Sequence, residues 1–153
     1  MRQPTTSILL IILTLVCCAT AMAKDETVDE LKARFEKARA EDRPQLGMKI
    51  AERQLHDADR LYNEGKIDEA RAAVEDVVTY SEKARDAATQ TKKHLKEVEI
   101  DARKMAEKLR DIKRNLNFDD QPPVKEAIDR LEAVRTTLLD EMFAKDDKKK
   151  VKK

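Results

Sequence analysis

The sequence has few of the residues that break helices or fill large globular cores. It contains no tryptophan, its aromatic residues make up 3% of the chain, and it has only two glycines and four prolines. Two isolated glycines cannot form the glycine-rich loop that cradles a phosphate group, so a nucleotide-binding loop of that kind is excluded. Abundant alanine, glutamate, lysine, leucine and arginine with few breakers is typical of long helices and coiled coils. The composition therefore predicts an all-α protein with narrow helical seams.

The two cysteines lie near the amino terminus, in a segment unlike the rest of the chain. Arg2 is the only charged residue among the first 23, residues 8–16 form a nearly unbroken apolar run, and the segment ends in Ala21-Met22-Ala23. A charged start, a short apolar stretch and an A-x-A ending are typical of a secretory signal peptide. We therefore expect residues 1–23 to be a signal peptide and the exported chain to begin at Lys24.

Two alternatives to a cleaved signal remain open. Residues 8–23 number 16, just under the roughly 17 to 25 that a spanning helix needs, so an inner-membrane signal anchor is one of them. A lipoprotein is the other, although neither Cys17 nor Cys18 follows the small residue that a lipidation signal favours. If Ala23 ends the signal, both cysteines leave with it, and the periplasmic or secreted chain holds together without disulfides.

The charges are numerous but balanced. The chain has 32 basic and 31 acidic residues, so removal of Arg2 with the signal leaves 31 of each and a net charge of zero. A nucleic-acid-binding protein would carry a basic excess, so we expect no nucleic-acid partner. Residues 145–153 hold six lysines and two aspartates. We expect this tail to be disordered and to make at most weak contact with an anionic envelope polymer or lipid.

Apolar spacing predicts four helices between residues 24 and 144. The first covers residues 27–42 and begins with a capping box formed by Thr27 and Glu30. The second covers residues 44–64 and ends at Gly65, which reaches the left-handed conformation at little cost. The fourth covers residues 124–143, after a turn marked by two prolines.

The third predicted helix is the longest. Apolar or small residues recur three and four apart over residues 67–116, which predicts a heptad seam of 50 residues and a helix roughly 75 Å long. We expect an elongated antiparallel bundle, coiled-coil-like, with this helix as its spine. The first helix either continues past the second or folds beside it. We favour the former, which places it alongside the far half of the spine and the fourth helix.

Residues 58–88 carry a partial family resemblance. They place Gly65, Ile67 and Ala70 at the offsets found in the turn and second helix of a tetratricopeptide repeat, and the segment is similar to small exported bacterial helical-hairpin proteins of unknown function. The resemblance implies a helical hairpin around Gly65. Because the sequence has no second copy at a 34-residue period, we infer no peptide-binding groove of the repeat type.

Candidate catalytic or ligand-binding residues are sparse. Glu52 and His56 lie four apart on the second helix, where a carboxylate and an imidazole could share a metal ion, but a zinc site needs about three protein ligands. The adjacent carboxylates Asp119 and Asp120 fit the start of a helix better than acid–base chemistry. We therefore predict no catalytic residue, no cofactor and no metal ion.

The middle of the spine carries the one predicted interaction site. The seam residues there are Ser81, Ala84, Ala88 and Thr91. They are small and bury little area, which favours close approach of another helix. Either a second copy or a helical partner protein covers this strip, or the first or second helix of the same chain does. The sequence thus predicts a non-enzymatic exported scaffold, adaptor or oligomerisation protein, with a periplasmic holdase chaperone as the alternative.

Overall fold

The computed structural model describes residues 26–150, with the side chains of residues 26–144, and every regular element in this part of the chain is helical. The all-α class is therefore confirmed. The predicted signal peptide, residues 1–23, and residues 151–153 of the lysine-rich tail lie outside the described residues. Among the helices of residues 26–150, none combines the length and the hydropathy of a membrane-spanning segment. The α-helices are α1 (Val28–Lys37), α2 (Arg43–Asn63), α3 (Ile67–Thr91), α4 (Leu95–Asn115) and α5 (Gln121–Lys150).

Helix α1 starts at the predicted capping box. The Thr27 hydroxyl accepts from the Glu30 amide and the Glu30 carboxylate accepts from the Thr27 amide, so the first turn is satisfied from both sides. The helix lies beside α2 and α3, where the ring of Phe35 meets Tyr80 edge to face at 5.5 Å. The expectation that α1 would continue past α2 is wrong, because burying Leu31 and Phe35 requires it to fold back.

Helices α2 and α3 form an antiparallel hairpin around Gly65. Gly65 has a φ of 73°, its amide donates to the Tyr62 carbonyl at 3.1 Å, and the Lys66 amide donates to the Leu61 carbonyl at 2.9 Å. These two bonds satisfy carbonyl groups that the end of a helix otherwise leaves free. The hairpin buries both tyrosines of the chain, Tyr62 and Tyr80.

The predicted 50-residue spine, residues 67–116, is wrong. Helix α3 ends at Thr91 and α4 begins at Leu95, and the turn between them holds Lys92 and His94 in the left-handed conformation, with φ of 57° and 60°. The apolar spacing runs through the turn without a shift. A straight helix would carry half of its seam beyond the reach of α2, whereas the turn brings α4 back to bury that seam in the same core.

The described helices from α2 to α5 therefore pack as two antiparallel hairpins, α2–α3 and α4–α5. Polar pairs between the hairpins show that α2 runs parallel to α4 and that α3 runs parallel to α5. The apolar faces of all five helices meet in one core. The pairs that set these directions are Gln45–His94 and Asp59–Lys108 for α2 and α4, and Glu82–Arg130 and Lys92–Glu141 for α3 and α5.

Helix α5 is longer than predicted at both ends. It begins at Gln121, so Pro122 and Pro123 occupy its first turn, where a missing amide hydrogen is tolerated. It continues to Lys150, because the residues after Phe143 include no glycine or proline and lysine is a good helix former even without an apolar face.

Candidate functional site

The two hairpins meet unevenly, and this leaves one side of the bundle open. Helices α3 and α5 pack against each other closely, whereas α2 and α4 make sparser contact. A groove with a volume of about 480 Å³ lies between α2 and α4. Residues of both hairpins line this groove, so we treat it as the candidate site.

The floor of the groove is apolar. Met48 and Leu55 come from α2, Val98 and Met105 come from α4, and none of the four is more than 7% exposed. The members of each pair are seven residues apart, which places both on the same face of their helix. Two of the four are methionines, whose flexible side chains adapt to differently shaped apolar surfaces.

The rim of the groove carries charges of both signs. On the α2 side, Lys49 and Glu52 are exposed. On the α4 side, Glu97 and Lys104 are exposed and Asp101 is half-buried. The Lys49 ammonium also lies 3.3 Å from the carboxylate of Glu26, so the start of the described chain reaches the rim.

A polar bridge crosses the groove at each end. At one end the Gln45 side-chain amide lies 3.3 Å from Nδ1 of His94. At the other end the Lys108 ammonium lies 2.6 Å from the carboxylate of Asp59. Both bridges join surface side chains, and exposed pairs of this kind contribute only about 0–1 kcal/mol. Polar contacts therefore add little to the stability of the seam between α2 and α4.

The predicted interaction strip lies inside the chain. Ser81, Ala84 and Ala88 are fully buried, and Thr91 is half-buried beside the α3–α4 turn. The Ser81 hydroxyl donates to the Val77 carbonyl at 2.7 Å and lies 3.9 Å from the sulfur of Met105 on α4. Helices of the same chain cover the strip, which was the other explanation for its small side chains.

The remaining sequence candidates are dispersed. Glu52 borders the groove, whereas His56 is exposed, and no group of three or more metal-ligating side chains occurs among the described residues. Asp120 pairs with Arg71 at 2.9 Å, on the opposite hairpin, which gives it a role in packing the two hairpins together. The side chains of the lysine-rich tail lie outside the described residues.

No protein-family model matches the chain, and neither a curated protein nor a solved structure is significantly similar to it. The partial resemblance of residues 58–88 to a tetratricopeptide hairpin therefore stays an expectation.

Sequence reasoning missed the groove because it placed the two walls far apart. One wall lies in the second predicted helix, residues 44–64, and the other in the far half of the predicted spine, residues 67–116. Only the turn at Lys92 and His94 brings them face to face. That turn contains neither glycine nor proline, so the local sequence carries no signal for it.

Proposed function

We propose that this chain is a non-enzymatic exported interaction protein, a scaffold or adaptor, that binds an apolar helical segment of a partner protein in the α2–α4 groove. The observation that supports it is the combination of an apolar floor, a charged rim and a loosely packed seam at one place. Two parallel helices with an apolar floor between them match the groove in which an amphipathic helix lays its apolar face.

The shape and chemistry of the groove favour a helical occupant. The floor residues Met48, Leu55, Val98 and Met105 follow the helix axes, so once α2 and α4 separate, anchors spaced three, four or seven residues apart on a partner helix meet them in turn. The rim offers carboxylates and ammonium groups along the same axis. Charges at the edge of an interface steer the approach of a partner and fix its orientation more than they add affinity.

The loose seam supplies a way to enlarge the groove. Separating α2 from α4 breaks the Gln45–His94 and Asp59–Lys108 bridges and exposes the two methionines, while the α3–α5 packing stays in place. The opening motion is then a rotation of one hairpin against the other.

Site-specific photo-crosslinking in cells tests this proposal. A photoreactive residue at Glu52, on the groove rim, should capture a partner protein, and the same residue at Glu126, exposed on α5 and outside the groove, should not. Replacing Leu55 or Val98 with serine in the Glu52 variant should abolish the capture, provided circular dichroism shows the fold retained. Equal capture at Glu52 and Glu126 would argue against the groove.

A periplasmic holdase chaperone is the second candidate, and the methionine floor favours it because such surfaces bind many sequences. A client-aggregation assay separates the two functions. A holdase suppresses aggregation of unrelated unfolded clients at equimolar amounts, whereas an adaptor with one partner leaves them to aggregate.

Export is part of this proposal and rests on residues 1–23. Amino-terminal sequencing of the protein recovered from the cell envelope should begin at Lys24. Recovery of a chain beginning at Met1 would instead support the signal-anchor alternative.

A further inference from the structure

Two residues of the turn between α3 and α4 adopt a backbone conformation that their residue types disfavour. Lys92 and His94 both adopt the left-handed conformation, which glycine and, less often, asparagine or aspartate adopt without strain. The turn also leaves the start of α4 poorly capped, because the His94 side chain makes no capping hydrogen bond. A helix that continued from α3 into α4 would remove both defects, since carbonyl groups one turn earlier would accept from those amides.

Nothing in the sequence prevents that continuous helix. Between Gly65 and Pro122 there is neither glycine nor proline. The seam residues keep their spacing of three and four through Thr91, Leu95 and Val98. A helix through residues 67–115 therefore satisfies both local propensity and the apolar pattern.

The seam is also symmetric about Lys93. Ser81 and Met105, which touch in the structure, lie equally far from Lys93 along the chain, and so do the other buried seam residues of α3 and α4. If two such long helices lay antiparallel with their Lys93 residues side by side, each seam residue of α3 would face its counterpart in α4 of the other copy. The pairs are Val74–Ile112, Val77–Leu109, Ser81–Met105, Ala84–Ala102 and Ala88–Val98.

From these observations we infer that two copies of this chain exchange their α4–α5 hairpins, the α3–α4 turn straightening into one helix in each copy. Apart from the contacts of the turn residues 92–94, the contacts that one hairpin makes with the other inside the single chain are then made again between copies. Exchange of an identical element is a low-cost route to a dimer, because no new interface has to be designed. Short strained hinges favour it.

The exchange divides the ion pairs into two classes. Lys108 on α4 and Asp59 on α2 belong to different hairpins, so their 2.6 Å contact joins two copies in the exchanged dimer. Lys32 on α1 and Asp76 on α3 belong to the same half, so their 2.6 Å contact stays within one copy. Both pairs are partly exposed and open to a reagent.

The exchanged dimer also builds the α2–α4 groove from two copies, one supplying Met48 and Leu55 and the other Val98 and Met105. The inference goes beyond the proposed partner binding and does not depend on it. If the chain does not exchange its hairpins, the crosslinking experiment at Glu52 still tests partner binding to the monomer.

The test uses the unmodified chain. Equal amounts of isotope-labelled and unlabelled protein are unfolded together, refolded at high concentration, and separated into monomer and dimer by size with mass measured by light scattering. A carbodiimide, which couples an adjacent amine and carboxylate without a spacer, is then applied, and the linked peptides are identified by mass spectrometry.

In the dimer we expect about half of the Lys108–Asp59 links to join a labelled to an unlabelled peptide, since the two kinds of chain pair at random. The Lys32–Asp76 links should never be mixed, and they serve as the internal control. A dimer in which neither link is mixed has its copies side by side, and a chain that stays monomeric at every concentration does not exchange. Either result overturns the inference.

A pair of variants tests the hinge itself. Glycine at both Lys92 and His94 relieves the left-handed strain and weakens a continuous helix, so the dimer fraction should fall several-fold. Glycine at Lys96 is the matched control, because Lys96 is exposed and helical in both forms, and its dimer fraction should match that of the parent chain. An unchanged dimer fraction in the double-glycine variant would show that the turn does not drive the exchange.

Discussion

Gly47 of α2 and Ala84 of α3 approach so closely that there is no room for a second side chain between them. A Cβ atom placed on Gly47 would lie 3.0 Å from the Cβ of Ala84 and 2.9 Å from the backbone carbonyl oxygen of Tyr80. The small residues of the α3 strip thus set the distance between α2 and α3. Because the strip serves this intrachain contact, its small size does not need a partner protein to explain it.

Gly47→Ala should lower the free energy of unfolding by about 1–3 kcal/mol, as overpacking in a core does. Alanine is favoured over glycine within a helix by about 1 kcal/mol, but here the new methyl group meets backbone, which cannot swing aside. Urea denaturation measures the change. A midpoint equal to or above that of the parent chain would contradict the close packing of α2 on α3.

Ala88→Glu should destabilise the chain by about 3 kcal/mol or more, because Ala88 is fully buried and the new carboxylate would have no partner. Ala133→Glu, at an exposed position of α5, is the matched control and should change stability by no more than about 0.5 kcal/mol. Thermal melting followed by circular dichroism gives both values. Equal melting temperatures for the two variants would place Ala88 outside the core.

Lys92→Gly should raise the free energy of unfolding of the monomer by about 0.5–1 kcal/mol. Glycine adopts the left-handed conformation at the end of α3 without strain, and the gain exceeds the small contribution of the exposed Lys92–Glu141 ion pair. Lys96→Gly, in the first turn of α4, should act in the opposite direction by about 1 kcal/mol. Urea midpoints of the two variants that moved together would contradict the assigned turn.

Acid should weaken the α4–α5 hairpin through Glu132. Burial raises the pKa of this carboxyl, but the guanidinium groups of Arg110 and Arg135 together outweigh burial and hold the pKa below its ordinary value of 4.5. Since the pKa is lower in the folded chain, the stabilisation is present above about pH 4.5 and is lost as the pH falls through the folded value.

The melting temperature of the Glu132→Gln variant should therefore fall less on acidification than that of the parent chain. Glu126→Gln, at an exposed position on the same helix, is the control and should follow the parent curve. Melting temperatures measured from neutral pH to below pH 4.5 make the comparison. If the melting temperatures of Glu132→Gln and of the parent chain fall in parallel with pH, Glu132 does not contribute to the loss of stability in acid.

The parts of the fold that sequence reasoning predicted correctly are those with a local chemical signal. Thr27 and Glu30 mark the start of α1, and Gly65 marks the end of α2. Each of these residues has a backbone preference or a hydrogen bond that acts within a few residues. Apolar spacing also predicted the bodies of α2 and α5, whereas it joined α3 and α4 into one helix.

The α3–α4 turn could not be predicted in this way. Its residues, Lys92 to His94, are ordinary helix-compatible side chains, and the seam has the same spacing on both sides. The turn exists because α4 buries its apolar face by folding back, which is a property of the whole chain. Because the groove forms when that turn brings α4 beside α2, the groove could not be predicted from the local sequence either.

The two tyrosines lie in the same hairpin, so they serve as spectroscopic probes of that half of the chain. Tyr62 and Tyr80 are both buried and both belong to the α2–α3 hairpin, and the sequence has no tryptophan. Tyrosine absorption and tyrosine fluorescence therefore follow that hairpin, whereas far-ultraviolet dichroism follows every helix. If the α4–α5 hairpin detaches before the other unfolds, the two signals will separate along a denaturation curve, and if the hairpins unfold as one unit the signals will coincide.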